Sequence, residues 1–177
     1  MRRKILLIGP VGSGKSTQSE LLSQYLNLPI VSSSGVLREV AESNTEEGKR
    51  IKEIMTTGGL VDDETMARLI KDKAQNLNGF IMDGYPRTLK QIEIFDPKFE
   101  EAIYLELPDE VILERLSKRG RIDDKPEVIQ NRLNFYRQYT QPILEYYKNL
   151  GILKTINGQG NPEQIQQKIR KQINEQD

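Results

Sequence analysis

The stretch Lys4-Ile5-Leu6-Leu7-Ile8-Gly9-Pro10-Val11-Gly12-Ser13-Gly14-Lys15-Ser16 passes from a short apolar run into a glycine-rich loop. The run Lys4–Gly9 predicts a buried strand, since it is apolar throughout and stops at Gly-Pro. Lys15–Leu26 predicts a helix with Leu21, Leu22, Tyr25 and Leu26 on one face. Between them, Gly9 to Ser16 fits G-x-x-x-x-G-K-[ST], in the strand–loop–helix context that this motif requires. Its glycines, Gly12 and Gly14 among them, permit backbone angles that aim successive N–H groups, including that of Ser13, at phosphate oxygens. The helix N-terminus adds partial positive charge. Lys15 can then reach the β- and γ-phosphates, and Ser16 can approach Mg²⁺. The bland alternative is a glycine turn that holds nothing. The loop by itself does not separate a kinase from a GTPase or an ATPase.

Outward from this loop, strands are expected at Pro29–Ser32, Gly79–Asp83, Ala102–Leu107 and Leu153–Ile156. Helices are expected at Val36–Ala41, Glu46–Met55, Asp62–Asn76, Thr88–Phe95, Val111–Arg119, Pro126–Leu150 (broken before Pro142) and Pro162–Ile173. Strands that alternate with helices predict an α/β fold, a central parallel sheet with helices on both faces in a three-layer P-loop sandwich. No repeat, low-complexity linker or change of composition marks a second domain, so residues 1–177 are read as one. The glutamine-rich tail, with Ile165, Ile169 and Ile173 interleaved, is expected to be an amphipathic helix.

Composition narrows the chemistry. The 177 residues contain no Cys and no His. That excludes disulfides, thiolate nucleophiles, Ser-His-Asp triads and imidazole-bound zinc. Lys+Arg and Asp+Glu balance at 26 each, so no bulk field draws nucleic acid. There is no apolar run long enough to cross a bilayer, and the N-terminal run is too short for a signal peptide, so a cytoplasmic protein is expected. Phosphoryl transfer fits these limits, because it needs positioning and positive charge more than a titrating base.

Four further stretches carry a family resemblance. Phe80-Ile81-Met82-Asp83-Gly84-Tyr85-Pro86-Arg87-Thr88, with Gln91 behind it, resembles the DGFPRT-x-x-Q signature of adenylate kinases. Ser32 to Arg38 is similar to their STGD-L-L-R segment, and Gly58 to Glu64 to their G-x-LVPDE segment. Arg119-Gly120-Arg121-Ile122-Asp123-Asp124, followed by Arg132, resembles their R…GR-x-DD…R stretch. The resemblance implies a nucleoside monophosphate kinase, a phosphotransferase using ATP, AMP and Mg²⁺ and working as a monomer. Within it, a small helical acceptor-binding region covers about 32–61 and a minimal lid about 119–124. Arg38 and Arg87 would hold the acceptor phosphate, with Gly84, Tyr85 and Pro86 around it. Arg119, Arg121 and Arg132 would surround the transferring group, Arg119 on the ATP side and Arg121 and Arg132 also against AMP. Asp83 would hold Mg²⁺ through water. Gln91, Ser33 and the backbone at Leu60 and Val61 would meet the acceptor base, and Gly160 the ATP base. Each assignment has a plainer counterpart: a lone Arg is usually solvated, Asp83 could cap the next helix, and Gln91 could lie on an exposed face.

Three departures from the family pattern stand out. GKGT is GKST here, which makes Ser16 a candidate direct Mg²⁺ ligand, with Thr17 in the family's role as the alternative. The Asp of TGD is Gly35. Only Gly120 separates Arg119 from Arg121, so the cover over the ATP phosphates must be minimal. Two rival functions remain at this level: a kinase of the same fold acting on UMP, CMP or a small alcohol, and a nucleotide-binding protein without turnover.

Overall fold

A computed structural model describes residues 3–57, 59–119 and 126–174, with the backbone alone at 119, 126–128 and 132. In chain order the elements are β1 (Lys4–Ile8), α1 (Lys15–Leu26), β2 (Ile30–Ser32), α2 (Ser33–Ala41), α3 (Glu46–Thr56), α4 (Asp63–Ala74) and β3 (Phe80–Asp83). There follow α5 (Leu89–Ile94), β4 (Glu101–Glu106), α6 (Asp109–Arg119), α7 (Pro126–Asn149), β5 (Leu153–Asn157) and α8 (Pro162–Asn174). The strands form one five-stranded sheet in the order β2-β3-β1-β4-β5, parallel throughout.

The strand sequences explain why both faces are covered. Side chains alternate across a strand. One set, Leu6, Ile8, Phe80, Met82 and Ala102, joins a core with α2, α3, α4 and the end of α7. The other set, Ile5, Leu7, Ile81, Ile103 and Leu105, packs against Leu22 of α1 and Ile165, Ile169 and Ile173 of α8. The glutamine-rich tail is thus the amphipathic helix its isoleucine spacing predicts. A third cluster, Leu107, Ile112, Leu116, Ile129 and Leu133, ties α6 to α7 and reaches Val11 of the glycine loop. Among the described residues no helix is long and apolar enough to cross a membrane.

Two local expectations are corrected. The buried residues of α1 are Gln18, Ser19 and Leu22, while Tyr25 is exposed beneath the Arg170 guanidinium, 4.1 Å from its ring centre. The reason is the neighbour: α1 lies against α8, where Gln18 Nε2 donates to Pro162 O at 3.0 Å. And α7 runs unbroken through Pro142. Proline removes one helix hydrogen bond, but Ile129 and Leu133 before it and Ile143 and Tyr147 after it are buried, which holds both halves in line.

Helix α4 starts as its acidic first turn predicts. Asp62 Oδ1 accepts from Thr65 N–H at 2.8 Å, and that bond, aided by Arg50, holds the Asp62 carboxyl below its ordinary range. Its stabilisation is therefore present above the ordinary carboxylate value and is lost as pH falls through the lower folded value. Asp62→Ala is expected to cost about 1 kcal/mol at neutral pH. In urea unfolding, that difference from wild type should close as the pH drops below about 3.9.

Candidate functional site

Strand register assembles the site. Leu7 pairs with Asp83, and Asp83 with Ser32. The segments leaving β1, β2 and β3 therefore emerge together at the carboxyl end of the sheet, where parallel α/β proteins place ligands. These segments are the glycine loop, the start of α2 at Ser33, and the turn Gly84 to Arg87.

In the loop, Gly12 has φ 80°, and a Cβ there would lie 3.1 Å from Leu116 Cγ, so both the backbone angle and the approach of α6 require glycine. Ser13 is buried, and its N–H donates to Pro10 O at 3.2 Å. Gly14, left-handed, begins α1 with no side-chain cap, so the first-turn N–H groups are not covered by a capping side chain. Lys15 Nζ folds back over the loop, donating to Gly9 O at 2.6 Å and Pro10 O at 2.8 Å. Phosphate oxygens arriving in the loop would take the place of those carbonyls. Ser16 Oγ donates to Asp83 Oδ2 at 2.9 Å, which brings the two expected metal-side residues into contact. Thr17 is exposed. Asp83 does not cap the following helix: Thr88 does, accepting from Gln91 N–H at 3.1 Å.

The turn after β3 builds the second half. Gly84 has φ 86°, and a Cβ on it would fall 2.4 Å from Ser33 Oγ. The buried Ser33 hydroxyl thus sits directly over the turn. Arg87 Nε donates to Gly84 O at 3.0 Å and Nη2 to Ser33 Oγ at 3.5 Å, which holds an exposed guanidinium above the same spot. Tyr85, joined to Pro86 by a cis peptide bond, turns inward. Its single hydroxyl hydrogen is shared between Gln91 O at 2.8 Å and Phe95 O at 2.6 Å, and burial pushes the phenol's pKa up. What Tyr85 offers a ligand is therefore backbone. Gln91 is 3% exposed, not on an open face. Its Oε1 accepts from Arg87 N–H at 2.7 Å, and its Nε2 donates to Asp63 Oδ1 at 2.8 Å.

Arg38 is exposed on α2, and its side chain has no hydrogen-bond or ion-pair partner among the described residues. Leu60 is 58% exposed, whereas Val61 packs partly against the core. Gly160, φ 117°, lies in the turn between β5 and α8. Arg121 lies outside the described residues, as do the side chains of Arg119 and Arg132.

Sequence reading passed over Arg115. Its Nη1 donates to Ser13 O at 3.4 Å, and its Nη2 to Gly158 O at 2.9 Å and Gly160 O at 3.4 Å. One guanidinium thus joins the glycine loop to the β5–α8 turn. A depression of about 320 Å³, lined by Glu106, Leu107, Pro108, Asn157 and Gln159, opens beside that turn. The available signal was its place four residues before Arg119, on one face of α6.

Comparison with known proteins agrees with this geometry. The family model described as adenylate kinase matches residues 7–152. An adenylate kinase of Prochlorococcus marinus (strain MIT 9515) is 37% identical over 98% of this chain and 100% of its own length. One from Leptospira biflexa serovar Patoc is 36% identical over 97% of this chain and 100% of its own. One from Synechococcus sp. (strain WH7803) is 37% identical over 93% and 95%. A family model over most of the chain, and relatives above one-third identity along nearly all of it, leave one assignment: the chain belongs to the adenylate kinase family.

Proposed function

We propose that this chain is a Mg²⁺-dependent adenylate kinase that carries the γ-phosphoryl group of ATP to AMP, giving two ADP, and runs equally in reverse. The observation that carries this is the meeting of two anion-binding elements at one sheet end: the glycine loop with Lys15, and the Gly84–Arg87 turn with Ser33. In the transfer, an oxygen of the AMP phosphate bonds to the γ-phosphorus as the bond to the β-phosphate oxygen breaks. The attacking oxygen carries no proton that must leave, so no general base is needed. A chain without His or Cys loses nothing by that.

Lys15 and the loop N–H groups hold the donor phosphates, and Arg38 and Arg87 the acceptor phosphate. Arg119, Arg121 and Arg132 neutralise the charge between them. Guanidinium forks suit that task, since they stay charged and pair with phosphate through two donors. Arg115 and Gly160 border the donor base, while Gln91, Ser33 and the backbone at Leu60 and Val61 border the acceptor base. The helices over residues 32–61 serve as the acceptor-binding region and 119–124 as the lid. The reading also carries a single copy of the chain working in the cytoplasm, where both nucleotides circulate.

Ser16 Oγ and Asp83 Oδ2, hard oxygens in contact, fit Mg²⁺, with Ser16 as ligand and Asp83 acting through water. The bound ion would supply charge neutralisation at the phosphates. Ser16→Gly is accordingly expected to raise the apparent Mg²⁺ requirement about tenfold, the loss typical when a metal site's oxygen support is removed. A Mg²⁺ titration of initial rates measures it, and an unchanged half-saturation would assign the metal to Thr17 or to Asp83 alone.

A coupled ADP assay with ATP and each of AMP, UMP, CMP and GMP tests the reading. AMP is expected to have at least ~10-fold the kcat/KM of the others, because a mispaired polar edge in a desolvated pocket costs about 1–3 kcal/mol. A pyrimidine nucleotide equal to AMP would overturn the acceptor assignment.

A further inference from the structure

We infer that Asp63 decides which purine the acceptor site takes, by locking the Gln91 side-chain amide in one orientation. This rests on the reading that Gln91 meets the acceptor base. The two groups that grip the amide are of opposite kinds. The Arg87 backbone N–H can only donate, and it meets Oε1 at 2.7 Å. The Asp63 carboxylate can only accept, and it meets Nε2 at 2.8 Å. A half-turn of the amide would set N–H against N–H and oxygen against oxygen. With Gln91 buried to 3% exposure, water has little room to relieve that mismatch.

The lock leaves the amide a defined remainder: the second lone pair of Oε1 and the second hydrogen of Nε2. Adenine presents an N6 amino donor beside the N1 or N7 acceptor, which such a remainder matches as it stands. A 6-oxopurine presents the inverse at its O6/N1 edge, an O6 acceptor beside an N1–H donor. The same amide can read that edge only after the flip that Asp63 and Arg87 N–H jointly forbid. Without the carboxylate, only the Arg87 N–H opposes the flip. Asp63 also stands in the first turn of α4, where a negative charge favours the helix. That role affects stability but has no means of distinguishing one purine from another.

The experiment compares AMP with IMP, which differ only at the C6/N1 edge, as acceptors for wild type, Asp63→Ala, Asp63→Asn and Gln91→Leu. Asp63→Ala is expected to lower the AMP:IMP ratio of kcat/KM at least ~10-fold, with kcat at saturating AMP within about threefold of wild type. Asp63→Asn still hydrogen-bonds the amide but can turn either its oxygen or its NH2 toward it. It no longer enforces one orientation, so its ratio should fall toward that of Asp63→Ala, more than about threefold below wild type. A wild-type ratio in Asp63→Ala, or an equal loss for both nucleotides, would overturn the inference while Gln91→Leu still collapses the ratio. If Gln91→Leu itself leaves the ratio unchanged, the base-reading assignment of Gln91 is what fails. Should Asp63→Ala not fold, as judged by its thermal transition, Asp63→Ser replaces it. That variant keeps a helix-starting side chain but withdraws the acceptor from the amide.

Discussion

Lys15→Met is expected to lower ATP-to-AMP phosphoryl transfer at least ~100-fold with the fold intact, since one charge removed from a preorganised phosphate site is worth several kcal/mol of barrier. Lys15 is the basic side chain of the glycine loop itself, bent over it by bonds to Gly9 O and Pro10 O. Methionine keeps the length of the stem and removes the charge. The sheet and helices do not lean on the ammonium: the buried residues of α1 are Gln18, Ser19 and Leu22. The far-ultraviolet spectrum and thermal transition should therefore match wild type within a few degrees while kcat collapses. A variant keeping more than a tenth of wild-type turnover would show that the loop is not where the donor phosphates react.

The second large effect is expected at Arg87. Its guanidinium is anchored by Gly84 O and the buried Ser33 hydroxyl, so its position is set before any ligand arrives. Such preorganisation is what makes a charged donor effective. Arg87→Ala should lower kcat/KM for AMP at least ~100-fold, while KM for ATP moves by less than about threefold. The asymmetry matters more than the size. An equal rise in KM for both nucleotides would place Arg87 between the substrates and not on the acceptor.

The alternation of strands and helices was legible because β1, β3 and β4 carry buried residues on both faces, and only a doubly covered parallel sheet asks for that. The glycine loop was legible because its chemistry is local. What escaped depends on which distant segments meet. The buried face of α1 was misjudged because Gln18 Nε2 finds its acceptor in Pro162 O, a residue 144 positions away. Likewise, Gln91 stood out as a base reader, but its grip by Asp63, 28 residues earlier, is created only by α4 packing against α5. Arg115 was missed for the same reason, since the carbonyls it joins lie in two loops that the sheet alone brings together. Pro142 failed as a helix breaker because burial on both sides outweighed one absent hydrogen bond.

On this mechanism the phosphoryl group passes from ATP to AMP and not to water. The most direct test supplies ATP labelled in its γ-phosphate together with unlabelled AMP and follows the label by ³¹P or radioactive detection. Label is expected in the β-position of ADP, one labelled ADP for each unlabelled ADP left from the donor, with inorganic phosphate a minor product. Label released chiefly as inorganic phosphate, with AMP unconsumed, would contradict it.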